Sequence, residues 1–143
     1  MGEALDAAKR YDEAFNAQDS QTRAATLTAG VEFVGPGGIN LRGPDQIAEF
    51  EKHFWEAFPD GTISHDRWVE TGEDVAIEGY LSGTHTGTFR TPQGDVSPTG
   101  SSVRLRYASI RQVVGGRIAS EHLYFDQLEF LTQIGVIPAP AAD

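Results

Sequence analysis

The sequence contains no cysteine, which excludes disulfides, thiolate metal sites and a cysteine nucleophile. It also lacks any run of about 18 apolar residues and a basic segment leading into an apolar one, so we expect a soluble, cytoplasmic protein. Basic residues are scarce, with 11 Lys and Arg against 21 Asp and Glu and a net charge of -10. Such an acidic surface repels phosphate backbones and anionic lipids, so we predict binding to neither nucleic acid nor membranes.

The chain has 143 residues, of which 39% are hydrophobic, enough for one compact core. We therefore predict a single domain over residues 1–143. The Pro- and Ala-rich residues 137–143 are expected to form a flexible tail.

Two periodicities divide the chain. In the first half, apolar residues at spacings of three and four predict helices over residues 3–18, 20 to about 25, and 43–58. Segments rich in β-formers and separated by Gly, Pro and Asp predict strands, mainly in the second half. These strands are residues 31–34, 39–41, 63–70, 75–89, 103–114 and 118–125.

This order of elements favours an α+β fold in which the N-terminal helices pack on a strongly curved mixed or antiparallel sheet. Gly79, Gly83 and Gly87 recur at every fourth residue of one predicted strand, where a missing side chain permits bending or close approach. A bent sheet covered by helices forms a cone that encloses a pocket.

The last predicted strand carries three titratable groups on one face, namely His122, Tyr124 and Asp126. Leu123 and Phe125 point the other way. Their apolar character favours burial of their own face, whereas the amphipathic His122 and Tyr124 favour a half-enclosed cavity, with the opposite face covered by a partner subunit.

Four motifs occur in an order that resembles the SnoaL-like polyketide cyclase family of the NTF2-like superfamily, over nearly the whole chain. The motifs are Gly83-Thr84-His85-Thr86-Gly87, Pro98-Thr99-Gly100, Gly116-Arg117-Ile118 and His122-Leu123-Tyr124-Phe125-Asp126-Gln127. The resemblance implies an NTF2-like cone that hosts aldol-type cyclases, ketosteroid isomerase-like and epoxide hydrolase-like proteins, and non-catalytic domains. In the cyclases it implies an aspartate at the last strand that acts as general acid/base without metal or cofactor, a role that falls on Asp126.

Aldol closure needs a base beside a carbonyl and a donor for the developing enolate oxygen. The predicted catalytic set is Asp126 as base, His122 beside it and His85 as the oxyanion donor. The alternative for Asp126 is an N-cap, because an apolar-periodic run starts at Gln127 and Glu129 is a capping-box partner.

Aromatic side chains are suited to lining a pocket for a flat polyketide, steroid-like or terpenoid ligand, although each also suits the core. The candidate substrate-binding residues are Tyr124, Phe50, Phe54, Trp55 and Trp68.

The remaining histidines give no metal-ligand spacing. His53 is expected on the surface and His65 lies in an early strand near Asp66, and no helical His-x-x-x-His pair occurs. We predict neither a metal site nor a cofactor.

The leading hypothesis is therefore a cofactor-independent acid/base enzyme, a cyclase or isomerase, acting on a hydrophobic carbonyl or ester substrate. A second hypothesis is epoxide opening, which needs a further acid from Glu78, Glu121 or Asp66 and an Arg or Asn between the pair. A third is a non-catalytic module that binds an apolar ligand or a protein partner.

We also expect a homodimer through the outer sheet surface, because an open sheet face needs covering. Its candidate residues are Leu123, Phe125 and alternate residues of segment 103–111. Arg104 and Arg106 form a solvated or dimer-facing stripe there, although either could bind a substrate carboxylate.

Overall fold

The computed structural model describes residues 2–91 and 94–138. The helices are α1 (Glu3–Asn16), α2 (Ser20–Ala25), α3 (Gly43–Ala57) and α4 (Gln127–Gln133). The strands are β1 (Leu27–Gly35), β2 (Ile39–Arg42), β3 (Thr62–Ile63), β4 (Arg67–Thr71), β5 (Asp74–Thr84), β6 (Phe89–Thr91), β7 (Gly94–Val96), β8 (Ser102–Val114) and β9 (Arg117–Phe125).

Seven strands form one mixed sheet in the order β2-β1-β9-β8-β5-β3, with β4 also paired to β5. Only the β1 and β9 pair is parallel; the other pairs of this sheet are antiparallel. β6 and β7 form a separate hairpin. The predicted α+β class and curved mixed sheet are thus confirmed.

Carboxylates cap the N-termini of α1 and α2. Asp19 caps α2 by accepting from the Thr22 amide at 3.1 Å. Gly2 offers α1 no side-chain cap, and Glu70 of β4 replaces it by accepting from the amides of Gly2 at 2.9 Å and Leu5 at 2.7 Å. The first turn of α1 is therefore held by the edge of the sheet.

The core lies between the helices and the concave face of the sheet. Along β8 alternate residues are buried, including Val103, Leu105 and Tyr107, while Arg104 and Arg106 point outward and are exposed. On the helix side α1 buries a face that includes Leu5, Ala8, Tyr11 and Phe15. Burial of this apolar face is the main stabilising contribution of the helix to the fold.

Close backbone approach explains two of the three regularly spaced glycines. A Cβ on Gly79 would lie 1.8 Å from the carbonyl oxygen of Ser64, and one on Gly87 would lie 1.8 Å from that of Glu56. Neither distance is sterically allowed, so both positions need glycine.

Two predicted strands are interrupted. The segment 63–70 divides into β3 and β4, and the segment 75–89 divides into β5 and β6. A close backbone contact lies at each break, between Ser64 and Gly79 at the first and between Glu56 and Gly87 at the second. The breaks contain His65 and His85 respectively. The helix predicted over residues 3–18 ends at Asn16. Within the predicted tail, residues 139–143 lie outside the described residues.

The two faces of β9 are the reverse of what the cavity and dimer predictions required. Leu123 pairs with Ser109 and Phe125 with Tyr107, on the concave side, and both pack against the core. His122 and Tyr124 therefore point outward. The prediction that these two line the cavity, and that Leu123 and Phe125 form a dimer surface, is wrong because the side-chain period of two places the apolar pair inside.

Candidate functional site

Five charged side chains are buried inside the cone among the described residues, each 2 to 6% exposed. They come from five different elements and converge between the helices and the sheet. They are Asp12 of α1, Arg23 of α2, Glu51 of α3, Arg111 of β8 and Glu121 of β9. We call them the interior charged cluster. Charges at such depth are tolerated only when they are paired and hydrogen-bonded.

Arg111 lies between two carboxylates. Its Nη1 donates to Asp12 Oδ2 at 2.8 Å and its Nη2 to Asp12 Oδ1 at 3.0 Å. Its Nε donates to Glu121 Oε2 at 3.0 Å, and Ser109 Oγ donates to the same oxygen at 2.6 Å. Arg111 and Glu121 are cross-strand neighbours in the sheet register, which sets this geometry.

Arg23 forms the second buried pair. Its Nε donates to Glu51 Oε2 at 2.7 Å and its Nη1 donates to the carbonyl oxygen of Tyr11 at 2.8 Å. The guanidinium also lies over the Tyr11 ring, 3.4 Å from the ring centroid.

The environments of two carboxyl groups drive their pKa values apart. Burial opposes ionisation of Asp12, but Arg111, a hydrogen bond from His65 and Arg23 outweigh it and lower the pKa of Asp12 to about 2. Burial raises the pKa of Glu51, reinforced by the nearby carboxylates of Glu121 and Asp12, despite its pairing with Arg23. Such divergence is typical of sites that perform acid/base chemistry.

The Tyr11 hydroxyl is buried and has no hydrogen-bond partner within the part of the chain that the structure describes. Burial raises its pKa, opposed by Arg23. It is therefore a protonated donor without an acceptor, in contact with the interior charged cluster.

His65 lies in the break between β3 and β4, on a backbone fixed from both sides. The amide of Ser64 donates to the Tyr80 carbonyl at 2.9 Å and that of Asp66 to the Glu78 carbonyl at 2.9 Å. Tyr107 Oη donates to the Ser64 carbonyl at 2.8 Å. These bonds use the space left by the missing side chain of Gly79, and they direct His65 towards α1.

His65 and Asp12 form an imidazole–carboxylate dyad through Nε2 and Oδ2. Ionised Asp12 can only accept, so Nε2 donates to it, and Nδ1 is the ring nitrogen that can hold a lone pair. Within the described residues Nδ1 makes no hydrogen bond. Asp12 is held in turn by Arg111, so the dyad rests on the interior charged cluster.

The dyad opens onto a surface depression of about 300 Å³ between α1 and the sheet edge. Its lining is mostly polar and comes from one face of α1 and the segment that contains β3. The lining residues are Lys9, Asp12, Glu13, Asn16, Ile63 and His65. A small substrate in this depression would contact His65 directly.

All three predicted catalytic residues lie away from this site. Asp126 caps α4, its Oδ1 accepting from the Glu129 amide at 3.1 Å, which is the capping alternative considered from the sequence. The side chain of His122 is 43% exposed on the outer sheet face, with its Nε2 3.7 Å from Glu32 Oε1. Tyr124 is 55% exposed on the same face.

His85 is fully buried, at the other end of the sheet. Its Nδ1 lies 3.0 Å from Thr99 Oγ1, and its ring stacks on Phe58 with centroids 5.3 Å apart. Burial lowers the pKa of His85, so the ring is neutral at pH 7. The His85 amide donates to the Ser101 carbonyl, next to β8, and His122 lies opposite Ile110 of β8. Ser101 and Ile110 are nine positions apart, so His85 and His122 are separated by roughly 30 Å at about 3.3 Å per residue. The structure does not bring the three together.

The predicted substrate-binding aromatics divide in the same way. Phe50 packs on Phe33, and both Phe54 and Trp55 pack on Phe15, so these three contribute to core packing. Trp68 is different because it is 41% exposed and lies under the ammonium group of Lys9, 4.6 Å from Nζ to ring centroid. Trp68 therefore contacts a residue that lines the depression.

Of the acids named for epoxide opening, only Glu121 is in the interior charged cluster. Glu78 is on the outer face, where Arg106 Nη1 lies 3.8 Å away. Asp66 has an exposed side chain beside the His65 segment. Within residues 2–91 and 94–138, no three His, Cys, Asp or Glu side chains converge to hold a metal ion.

Sequence reasoning missed most of the interior charged cluster, although a signal was present. Asp12 occupies an apolar helical position, three residues before Phe15, and Glu51 lies four residues after Ile47. Arg111 and Glu121 take inward positions of their strands. A charged residue at a position that the periodicity assigns to the core is the pattern that identifies such a site.

The chain is similar in sequence to a known protein family and in fold to solved structures. The family model described as SnoaL-like polyketide cyclase matches residues 5–134. No curated protein matches the sequence significantly.

No helix of the described residues is long and apolar enough to cross a membrane.

Solved structures of similar fold cover nearly the whole chain. A protein from Jannaschia sp. CCS1, described as a SnoaL-like polyketide cyclase, is 21% identical, with 95% of this chain and 94% of that one covered at a TM-score of 0.83. IdmH from Streptomyces antibioticus, described as a polyketide cyclase, is 24% identical over 94% and 99% of the two chains, with a TM-score of 0.79. TerC, co-crystallised with polyporic acid, is 18% identical over 93% and 98%, with a TM-score of 0.76.

Proposed function

Because the chain belongs to the SnoaL-like polyketide cyclase family, we propose that it is an acid/base enzyme that cyclises or isomerises a hydrophobic carbonyl compound without a cofactor. The observation that carries the proposal is the dyad of His65 and Asp12, which opens onto the depression. From the sequence, a carboxylate and an imidazole were expected to be the groups that carry out the acid/base step. We assign these roles to Asp12 and His65 in place of Asp126 and His122.

His65 is the proposed general base. Its Nδ1 lone pair takes a proton from a carbon next to a carbonyl, and the electrons of that C–H bond form a C=C bond while the carbonyl π electrons move to oxygen. Asp12 stabilises the imidazolium that forms and fixes the ring orientation. In an isomerisation the proton returns at another carbon; in an aldol closure the enolate carbon attacks a second carbonyl, whose oxygen takes the proton.

The ligand class follows from the depression. Its volume of about 300 Å³ suits a flat molecule of a few rings, and Lys9 of its lining contacts the ring of Trp68. The ligand of TerC, polyporic acid, supports a hydrophobic carbonyl compound as the substrate class. We therefore propose a polyketide-like or steroid-like substrate.

Proton exchange tests the proposal without the natural substrate. The probe is 2-tetralone, a small flat ketone with acidic α-protons, and NMR in D₂O follows the loss of their signal. We expect His65→Gln to lower the enzyme-dependent exchange rate by roughly 100-fold to 10,000-fold with binding retained. His53→Gln is the matched control, because His53 lies on α3 between Glu49 and Glu56 and does not line the depression.

Asp126→Asn separates the two assignments. As a helix cap its loss should reduce stability by about 1 kcal/mol and leave the exchange rate unchanged. Exchange that depends on Asp126 and not on His65 would overturn our assignment. Tight binding of 2-tetralone with no enzyme-dependent exchange would instead favour the non-catalytic ligand-binding module.

A second candidate function, epoxide opening, is favoured by one specific observation. Arg111 lies between the carboxylates of Asp12 and Glu121, the acid-arginine-acid arrangement that this reaction needs. One of these two carboxylates would take a proton from water while the water oxygen attacks an epoxide carbon and breaks its C–O bond. The other, in its protonated form, would give a proton to the departing epoxide oxygen. Conversion of cyclohexene oxide to its diol, lost in Glu121→Gln and kept in Glu78→Gln, would support this candidate over the first.

We also propose that the protein forms a homodimer through the outer sheet face. Large apolar or aromatic residues that point outward there include Val69, Ile110 and Tyr124, which are 57%, 50% and 55% exposed. Light scattering should give twice the monomer mass, and Ile110→Glu should return a monomer that keeps its exchange activity. A wild-type monomer at all concentrations would refute this proposal.

A further inference from the structure

We propose that Lys9 binds the carbonyl oxygen of the substrate and stabilises it as it becomes an enolate, so that the site prefers ligands with an anionic oxygen next to a flat apolar ring. This inference rests on the proposed function, since it supplies the donor that a base at His65 requires. Nothing in the sequence motifs pointed to Lys9.

The first support is the position of Lys9 on α1. Lys9, Asp12, Glu13 and Asn16 follow one another at helical spacings of three, one and three, so they form a polar stripe along one face. All four line the depression. Lys9 therefore lies one helical turn from Asp12, on the same wall that holds the dyad.

The second support is that the other polar side chains of the lining either donate their hydrogen bonds to protein groups or have no donor. The Asn16 side chain donates to the Ile63 carbonyl at 3.0 Å and accepts from the Ile63 amide at 2.8 Å. Glu13 can only accept when ionised, and the proton of His65 Nε2 is directed at Asp12. The ammonium of Lys9 lies within 4.0 Å of no carboxylate among the described residues. It is the donor of the depression that remains for a ligand.

The third support is the ring of Trp68. Lys9 Nζ lies 4.6 Å from its centroid, which holds a half-buried ammonium at the border of the depression. The same ring is 41% exposed and offers a flat apolar surface next to the charge. A ring-shaped ligand that stacks there would place its oxygen beside Lys9.

The step is then complete within the depression. The C–H proton moves to His65 Nδ1, the C=C bond forms, and the oxygen gains the negative charge beside the ammonium of Lys9. Lys9 keeps all its protons and forms no covalent bond. On the return step the proton goes back to carbon, and the charge on oxygen disappears.

The test uses 2-naphthol, whose naphtholate form has the oxygen charge and the flat shape of the enolate of 2-tetralone. Absorbance spectra of the bound probe report its ionised fraction at a fixed pH. We expect the wild type to bind it more ionised than free in solution, and Lys9→Met to abolish this shift and weaken binding roughly tenfold to 100-fold. The affinity for neutral 2-tetralone should change less than threefold.

Two further variants make the result specific. Lys9→Arg keeps the charge and should restore much of the naphtholate preference, whereas Lys52→Met removes the only other lysine, exposed on α3, and should change nothing. Lys9→Met that binds naphtholate like the wild type would overturn the inference. Borohydride trapping of 2-tetralone on Lys9 would also overturn it, because it would show a covalent Schiff base.

Failure of this inference is distinguishable from failure of the proposed function. Exchange of 2-tetralone that depends on His65 but not on Lys9 would leave the acid/base function standing and remove Lys9 from it. Exchange that needs neither residue would remove both.

Discussion

Replacing Arg111 with methionine should remove the buried guanidinium that pairs with both Asp12 and Glu121. Asp12 and Glu121, which Arg111 holds at 2.8 to 3.0 Å, would be left as buried carboxylates without their shared cation. Removing one partner of a buried ion pair costs about 3 to 5 kcal/mol. Since domains of this size have a free energy of unfolding of about 5 to 15 kcal/mol, the variant should fold but with much of its stability lost.

Urea unfolding at pH 7 measures this loss. With a dependence of about 2 kcal/mol per molar urea, the midpoint should fall by roughly 1.5 to 2.5 M. Arg106→Met is the matched control on the same strand, because Arg106 points outward and its side chain is 61% exposed, so it should cost less than about 1 kcal/mol. Equal midpoints for the two variants would refute the reasoning.

A pH series adds a second check on Arg111→Met. Without the guanidinium, buried Asp12 loses the main cause of its lowered pKa, so its ionisation opposes folding at neutral pH. Protonation relieves this as the pH falls. The difference in the free energy of unfolding between variant and wild type should therefore become smaller as the pH falls. A difference that grows would contradict the assignment.

Three further predictions follow from the geometry. The pKa of Asp12 is about 2 when folded against an ordinary 3.8, so it contributes about 2 kcal/mol of stability that is complete above pH 4 and lost as the pH falls to 2; urea unfolding should show this slope, and Asp12→Asn should lack it. The pKa of His85 is lowered from 6.5 by burial, so its contribution is complete above pH 6.5 and declines below, a decline that His85→Gln should remove in thermal unfolding. Gly79→Ala should lower the melting temperature by several degrees and reduce 2-tetralone exchange, because its Cβ meets the Ser64 carbonyl; Gly30→Ala, with nothing within 4 Å, should do neither.

The fold was accessible from the sequence because its signals are local. Helical spacing identified α1 and α3, and Gly115-Gly116 marked the turn between β8 and β9. The alternation of β8 also placed Arg104 and Arg106 outward as a solvated stripe. These patterns depend on neighbours in sequence, which a single chain displays directly.

The site was less accessible because its parts are distant in sequence. Asp12 and His65 are 53 residues apart, and Asp12 and Arg111 are 99 apart, so no motif contains them. Conversely, His122 and Asp126 are close in sequence but separated in role, since one faces outward and the other caps α4. The close spacing of His122, Tyr124 and Asp126 in the sequence therefore indicated a site on the outer face of β9, whereas Glu121 of the interior charged cluster lies on its inner face.

The capping of α1 by Glu70 has a consequence for motion. Because β4 supplies the carboxylate that holds the Gly2 and Leu5 amides, the first turn of α1 cannot fray while this sheet edge is intact. Lys9 lies one turn further along the helix, and His65 lies two residues before β4, so both walls of the depression are next to this contact. Hydrogen exchange should therefore show the amides of early α1 and of β4 opening together, with a common free energy, and a ligand that bridges the walls should slow both.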